Sequence, residues 1–220
     1  MLTFYYHPLS PVARRVWIAL LEKGIPFQPV LVNLNGDQFK PEFLSLNPFH
    51  HVPVVVDGNL RIIESLAILD YLEVTYPAPS LVPHNPQAIA KMRMVQMVTA
   101  NELMPKLPTL VKVGEHPESD QAMIQPIMTV LDFLTEQLGD AVYLGGEHLS
   151  LADVTAGATL PLLHRLGISF ANYPAIATWF DRIMAREAWQ QTEPDDDAFN
   201  TWKRWIALMI KRRQRQLSRT

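Results

Sequence analysis

The chain has 220 residues, of which 48% are hydrophobic, and a formal net charge of −3. This length and composition allow one large globular domain or two smaller ones. No cysteine is present, which excludes disulfides, thiolate metal ligands and chemistry on a protein thiol. No apolar run reaches the roughly 18 residues of a membrane span, and the N-terminal MLTFYYHPLSP lacks the pattern of a secretory signal. We therefore expect a cytoplasmic protein without a membrane span.

Strand and helix patterns alternate along the first third of the chain. Strand patterns lie at 2–6, 27–34, 54–56 and 60–63. The turn sequence Asp57-Gly58-Asn59 makes the last two a hairpin. Helix patterns follow Ser10-Pro11, cover PEFLSLN and begin again at Ser65. The predicted order is βαβαββα.

A proline-rich segment, PAPSLVPHNP, follows this region and indicates a semi-rigid connector. We predict a first domain at 1–77, a linker at 78–86 and a second domain at 87–220, where apolar residues recur at helical spacing. Within it, Ser150 and Asp153 have the spacing of a helix capping box. The second domain ends in a basic tail, which we interpret as a solvated helix rather than a nucleic-acid surface because no groove-reading motif accompanies the charge.

Two short motifs lie where the hairpin meets its neighbours. A cis bond before Pro53 would turn the Val52 backbone outward at the sheet edge, where an extended peptide-like ligand can bind as another strand would. Glu64-Ser65 stands where a strand ends and a helix begins. Ser65 is either an N-cap or, with the free amides of the helix start, part of a carboxylate site, and Glu64 could accept an ammonium group.

The stretch LNPFHHVPVVVDGNLRIIESLAIL resembles the glutathione-binding half of the cytosolic glutathione transferases, with their Asn-Pro, Val-Pro and Glu-Ser signatures. SLADVT resembles the N-capping box of the same family. The resemblance covers nearly the whole chain. It implies an α/β thioredoxin-like N-terminal domain followed by an all-α helical C-terminal domain, with glutathione as co-substrate and no metal.

The resemblance also implies site residues. Val52 would hydrogen-bond the cysteinyl backbone of glutathione, and Glu64 and Ser65 would hold its γ-glutamyl head.

The glycyl end of glutathione would meet the loop side chains. His50 and His51 would contact its carboxylate, although a solvated loop pair is the alternative for them. Gln38 stands where several family members carry a His or Lys for that carboxylate, so its contact would be neutral.

Thiol activation needs a hydrogen-bond donor near the sulfur. A free thiol with a pKa near ~8.5 is only about 3% ionised at pH 7, and lowering that pKa by two units requires about 2.7 kcal/mol. Ser10-Pro11 has the form of an N-cap followed by proline at the first helical position. Ser10 can accept a bond from the Ala13 amide while donating its own proton to a thiolate.

By resemblance to serine-type family members, FYYHPLSPVARRV places Ser10 at the activating position. Two alternatives stay open: Tyr6, as in the tyrosine-type classes, and stabilisation by the backbone or by Arg14. Leu9 and the helix at 104–110 are candidate walls for the second substrate.

The expected function is that of a glutathione transferase, conjugating the thiolate to small hydrophobic electrophiles in detoxification, with peroxidase activity as a variant and a homodimer as the assembly. The alternative is a non-catalytic interaction module with the same fold. A glutathione-dependent isomerase is a third hypothesis, against which the serine-cysteine motif of that branch is missing.

Overall fold

A computed structural model describes residues 1–113 and 121–217. The strands of this part are β1 (Leu2–Tyr6), β2 (Phe27–Leu31), β3 (Val54–Asp57) and β4 (Leu60–Ile63). Its α-helices are α1 (Pro11–Glu22), α2 (Pro41–Leu44), α3 (Ser65–Thr75), α4 (Pro86–Val98), α5 (Leu107–Val113), α6 (Gln121–Leu138), α7 (Leu151–Arg165), α8 (Pro174–Met184), α9 (Glu187–Thr192) and α10 (Asp196–Leu217). In the described ranges, no helix is both long and apolar enough to cross a membrane.

The four strands form one mixed sheet in the order β2-β1-β3-β4. β1 and β2 are parallel, while β3 runs antiparallel to both β1 and β4. The predicted βαβαββα order and the helical second half are confirmed. The second strand is shorter than predicted: it ends at Leu31, and after the Val32 amide donates to the Tyr6 carbonyl the chain leaves the sheet for a loop.

The strand register brings three turns to one end of the sheet. Val54 pairs with Tyr5 on one side and with Ile63 on the other. In an antiparallel pair, the start of one strand lies beside the end of its neighbour. The residues before β3, after β4 and after β1 therefore meet at the same end, which places Val52-Pro53, Glu64-Ser65 and the turn leading to Ser10 together.

α1 is the element common to both domains. It packs on α3 of the first domain and on α7 and α9 of the helical domain. Three of its apolar side chains, those of Val16, Ile18 and Leu20, are fully buried. Because α1 packs against both domains, Ser10 at its start lies at the domain junction.

The predicted capping box at the start of α7 is confirmed. Ser150 Oγ accepts from the Ala152 amide at 3.2 Å, and Asp153 Oδ2 accepts from the Ser150 amide at 2.8 Å. Asp153 Oδ1 also accepts from the Leu144 amide and from Trp179 Nε1. Complete burial raises the pKa of Asp153, while these hydrogen bonds oppose that shift. The motif fixes the loop before α7 to the helical core.

The segment between α3 and α4 is tied down at both domains. Lys23 Nζ contacts Glu73 and donates to the Pro79 carbonyl at 2.6 Å. The Leu151 amide donates to the Leu81 carbonyl at 2.8 Å. This connector is therefore held in place and fixes the α7 end relative to the sheet.

Candidate active site

Ser10 caps α1 and faces the domain junction. Its Oγ accepts from the Ala13 amide at 3.2 Å, and Pro11 occupies the first helical position. The Ser10 amide donates to the His7 carbonyl at 2.9 Å, which closes a turn after β1. Because the hydroxyl accepts in this cap, its own proton is left for another acceptor.

A cavity of about 510 Å³ opens beside Ser10. The thioredoxin-like domain contributes Leu9, Pro11 and Leu34, and the helical domain contributes Met104, Leu107, Pro108, Trp202, Trp205 and Ile206. Apolar side chains line most of this space, and its position between two domains is typical of small-molecule sites. Leu9 does lie in its wall, and so do Met104, Leu107 and Pro108 from the predicted segment at 104–110.

The two alternative thiol activators lie elsewhere. The Tyr6 ring stacks on Phe4 at 5.0 Å between centroids and meets Trp17 edge-on, also at 5.0 Å. Arg14 is buried and its guanidinium contacts Thr192, Trp189 and Glu193 of the helical domain. Neither side chain lines the cavity, so the geometry favours Ser10 over both.

The Val52–Pro53 peptide bond is cis. Among the described residues, neither the amide nor the carbonyl of Val52 takes part in a hydrogen bond. The expectation of a sheet edge was wrong: β3 lies between β1 and β4, and both pairings begin at Val54. Val52 lies beyond the end of an inner strand, so its amide and carbonyl have no strand partner among the described residues.

Glu64 and Ser65 begin α3 at the same end of the sheet. Glu64, rather than Ser65, is the N-cap residue, since the Ile68 amide bonds to the Glu64 carbonyl and Ser65 already belongs to the helix. Glu64 is exposed and has a φ of 65°, a region that L-residues rarely adopt. No side chain caps this helix. Its first amides and positive dipole end are therefore available to a carboxylate.

Arg15 is a buried charge that the sequence reading missed. Its side chain is 2% exposed, and its Nε has no hydrogen-bond partner among the described residues. Burial lowers the pKa of Arg15 to about 10, and the charge of Glu64 opposes that shift. Arg15 thus stays protonated at neutral pH and supplies positive potential near Glu64. An arginine inside the otherwise apolar VARRVWIAL was the signal that could have revealed it.

His50 and His51 are exposed on the loop that leads to Val52. Their rings lie 5.0 Å apart, and His50 also lies 5.0 Å from the ring of Phe39. Asn47, buried below them, donates from Nδ2 to the His51 carbonyl at 2.8 Å. Asn47 thereby shapes this loop, a role that the Asn-Pro signature alone did not assign. In the described ranges, no group of three or more His, Asp or Glu side chains could hold a metal ion.

Gln38 is drawn into its own loop. The side chain is 7% exposed, its Nε2 donates to the Leu34 carbonyl at 2.7 Å and its Oε1 accepts from the Gly36 amide at 3.0 Å. The amide is therefore already bonded at both ends within the loop, and the predicted contact to a ligand carboxylate stays a prediction.

His7 is a second residue that the sequence reading did not assign. It lines the cavity, and its Nδ1 accepts from the Leu9 amide at 3.1 Å. That bond assigns the proton of the neutral ring to Nε2. Burial lowers the pKa of His7, so a neutral imidazole stands close to Ser10.

Comparison with known proteins gives a consistent result. Residues 4–80 match the model for the glutathione S-transferase N-terminal domain, and residues 98–187 match the model for its C-terminal domain.

Individual relatives extend the match along the chain. A maleylacetoacetate isomerase of Rattus norvegicus is 34% identical and a glutathione S-transferase of Hyoscyamus muticus is 32% identical; the alignments cover 86% and 83% of this chain and 91% and 93% of those proteins. The apo structure of human glutathione S-transferase T1-1 superposes with a TM-score of 0.79 at 26% identity, covering 96% of this chain and 100% of that one. Both domains, in the same order, are thus accounted for, and the chain belongs to the cytosolic glutathione transferase family.

Proposed function

We propose that this protein transfers the thiolate of glutathione to small apolar electrophiles, with Ser10 as the residue that stabilises the thiolate. The observation that carries the proposal is the position of Ser10. Its hydroxyl borders an apolar cavity on one side, and it shares the sheet end with Val52-Pro53 and Glu64-Ser65 on the other. A tripeptide at the sheet end would therefore present its sulfur to the cavity.

The bound glutathione would use backbone more than side chains. The amide and carbonyl of Val52, unpaired in the described part of the chain, suit the cysteinyl backbone. The uncapped start of α3 suits the γ-glutamyl carboxylate and exposed Glu64 its ammonium group. His50 and His51 stay candidates for the glycyl carboxylate, whereas we leave Gln38 out of the proposed site because its amide bonds within its own loop.

In the reaction, the thiol loses its proton to solvent and the Ser10 hydroxyl donates to the resulting anion. One hydrogen bond to a charged acceptor contributes about 1.5–3 kcal/mol and the α1 dipole about 0.3–1 kcal/mol, enough for the required shift of two pKa units. The sulfur then forms a bond to an electrophilic carbon, and a leaving group departs or a conjugated double bond takes up the electron pair. In the peroxidase variant the sulfur attacks a peroxide oxygen, the O–O bond breaks and an alcohol leaves. A second glutathione then displaces water from the resulting sulfenic acid and gives glutathione disulfide.

Binding and turnover test this proposal together. Isothermal titration should show glutathione binding, and a panel of isothiocyanates, halonitroaromatics and organic peroxides should show turnover that depends on glutathione. A protein that binds no glutathione and turns over none of the panel would instead support the non-catalytic interaction module.

A second candidate function is glutathione-dependent isomerisation, favoured by the 34% identity to a maleylacetoacetate isomerase. A thiolate can add to a conjugated cis double bond, permit rotation and leave again, which restores glutathione. Against this function, Ser10 is followed by Pro11 and Val12 and the chain has no cysteine. Turnover of maleylacetoacetate without net loss of glutathione would establish the isomerase, and its absence would leave conjugation.

We further propose a cytoplasmic homodimer that serves in detoxification. Met94 and Met97, on α4, are 45% and 49% exposed, and Val74 on α3 is 85% exposed, which gives these helices an apolar outer surface. Light scattering should give twice the chain mass of 25.0 kDa. Met97→Lys should lower that mass toward the monomer, whereas a wild-type monomer would refute the dimer.

A further inference from the structure

Arg14 connects the start of α1 to the last helices of the chain. Its Nε donates to Thr192 Oγ1 at 3.2 Å and its Nη2 to the Trp189 carbonyl at 3.3 Å. Glu193 Oε2 lies 2.5 Å from the same Nη2 and forms an ion pair with it. The Arg14 side chain is only 3% exposed. A buried cation needs a compensating charge, and Glu193 supplies it from the helical domain.

Glu193 also approaches a second arginine at the entrance to α10. Its Oε1 lies 3.5 Å from Nη1 of Arg165, and that nitrogen donates to the Pro194 carbonyl at 2.6 Å. Nη2 of Arg165 bonds Asp196 Oδ1 at 2.7 Å. Arg165 therefore fixes both the segment after α9 and the first turn of α10.

From Arg165 the contacts continue to the cavity. Its guanidinium carbon lies 4.0 Å from the centre of the Phe199 ring, and that ring stacks on Trp202 with centroids 5.8 Å apart. Trp202 lines the cavity. At the other end of the path, the Arg14 amide donates to the Ser10 carbonyl at 2.8 Å. The path thus begins one helical turn from the proposed thiol activator and ends in the wall facing it.

We propose that Arg14, Glu193 and Arg165 form a positioning chain that holds the first turns of α10 against α1 and thereby sets the shape and affinity of the electrophile cavity. The electrophile in this statement rests on the proposed function; the mechanical link does not. None of the three side chains lines the cavity, and none belongs to the proposed glutathione contacts. Loosening the chain should let Trp202 move and weaken apolar ligands, while glutathione binding stays unchanged.

The test compares two partly exposed acids at the domain junction, Glu193 and Glu22. Glu193→Gln keeps the shape and removes the charge between the two arginines. The probe is anilinonaphthalene sulfonate, whose own fluorescence reports binding in an apolar cavity without turnover. Since single changes of this kind are worth about 0.5–1.5 kcal/mol, we expect about three- to tenfold weaker probe binding. Glutathione affinity, by titration calorimetry, should stay within about twofold.

Glu22→Gln is the matched control. Glu22 pairs with Arg186 at 2.6 Å, also joins α1 to the helical domain and has a side chain that is 11% exposed. It lies away from α10, so it should leave probe affinity unchanged even if both variants melt at lower temperature. Glu193→Asp should restore part of the probe affinity. Phe199→Leu removes the ring between Arg165 and Trp202 without leaving a buried charge unpaired, and it should also weaken probe binding.

The outcomes separate the two proposals. Unchanged probe affinity in Glu193→Gln, or an equal loss in Glu22→Gln, overturns the positioning chain. Absence of glutathione binding by the wild type overturns the proposed function instead, and the probe comparison still decides the chain. For an active enzyme, the KM for the electrophile should rise in Glu193→Gln while the KM for glutathione does not.

Discussion

The sulfur side and the electrophile side of the candidate active site are built from different parts of the chain. The sulfur side consists of short turns at one end of the sheet, where Val52, Glu64 and Ser10 lie close because the strand register puts them there. The electrophile side combines Leu9 and Met104 with Trp202 and Trp205 of α10, which come more than 190 residues later in the chain than Ser10. Local backbone geometry determines the first side, and long-range packing determines the second.

This difference predicts that the two sides respond separately to mutation. Backbone groups and helix ends recognise one fixed ligand, whereas an apolar wall can change its shape without disturbing them. Variants on the sulfur side should alter ionisation or glutathione affinity. Variants on α10 should alter only the affinity for the electrophile.

The largest effect is expected for Ser10→Ala. Without the hydroxyl donor the thiol should return toward its free pKa, and the ionised fraction at pH 7 should fall from roughly three quarters to about 3%, about a 25-fold loss of rate. The loss should shrink as the pH approaches 9, because the free thiol then ionises by itself. The pH profile of kcat/KM measures this.

A cap effect must be separated from the hydroxyl effect. Ser10→Asn keeps an N-cap acceptor without a hydroxyl, and Ser10→Thr keeps both. Of the three variants, only Ser10→Thr should keep activity near that of wild type. Equal activity in all three variants would remove Ser10 from the mechanism.

Glu64→Gln should weaken glutathione binding by about tenfold, the worth of one charge-assisted contact of about 1.4 kcal/mol. The electrophile KM at saturating glutathione should not change. A glutathione analogue without the amino group provides the control in a titration: it should bind wild type and variant equally. A tenfold difference between them for this analogue would show that Glu64 acts by some route other than the ammonium group.

Trp205→Ala should raise the electrophile KM by about fivefold with little effect on glutathione, since one aromatic wall of the cavity is lost. Met209→Ala is the control on the same helix, because Met209 is 45% exposed and does not line the cavity. Steady-state kinetics with both substrates varied will distinguish them. A similar change in both variants would point to general loosening of α10.

The smallest effect concerns His7. A histidine whose folded pKa lies below its unfolded value of 6.5 supports the fold fully above pH 6.5, and that support is lost as the pH falls toward the folded pKa. His7→Gln keeps an acceptor within reach of the Leu9 amide and removes the titration. The free energy of unfolding, measured with denaturant between pH 7.5 and pH 5, should therefore fall slightly less steeply with acid in the variant than in wild type. Equal pH dependence in the two proteins would contradict the burial argument.

The residues proposed for the sulfur side could be predicted from the sequence because their signals are local. Serine before proline is an N-cap by stereochemistry, and Asp57-Gly58-Asn59 sets a hairpin whose register carries Val52 to Glu64. The same reading could not orient Arg14 and Arg15. Successive helical residues point about 100° apart, so one guanidinium reaches Glu193 while the other lies near Glu64. The partners that decide this lie far away along the chain.

Gln38 and α10 show the same limit. Gln38 has a side chain that suits a ligand carboxylate, yet its amide is hydrogen-bonded to the loop backbone at Leu34 and Gly36. The return of α10 to the cavity depends on Arg165 and Phe199, which no short-range pattern links to Ser10. Contacts between distant segments therefore account for what the sequence reading missed.

The double packing of α1 has a consequence for engineering. Because this helix packs on α3 on one side and on α7 and α9 on the other, a fragment that stops before α4 would leave an apolar flank and the Arg14 charge facing water. The first domain therefore cannot be transferred to another protein on its own without losing contacts that α1 needs. A chimera with another transferase should exchange α1 together with the two helices that enclose it, or keep all three from the same parent.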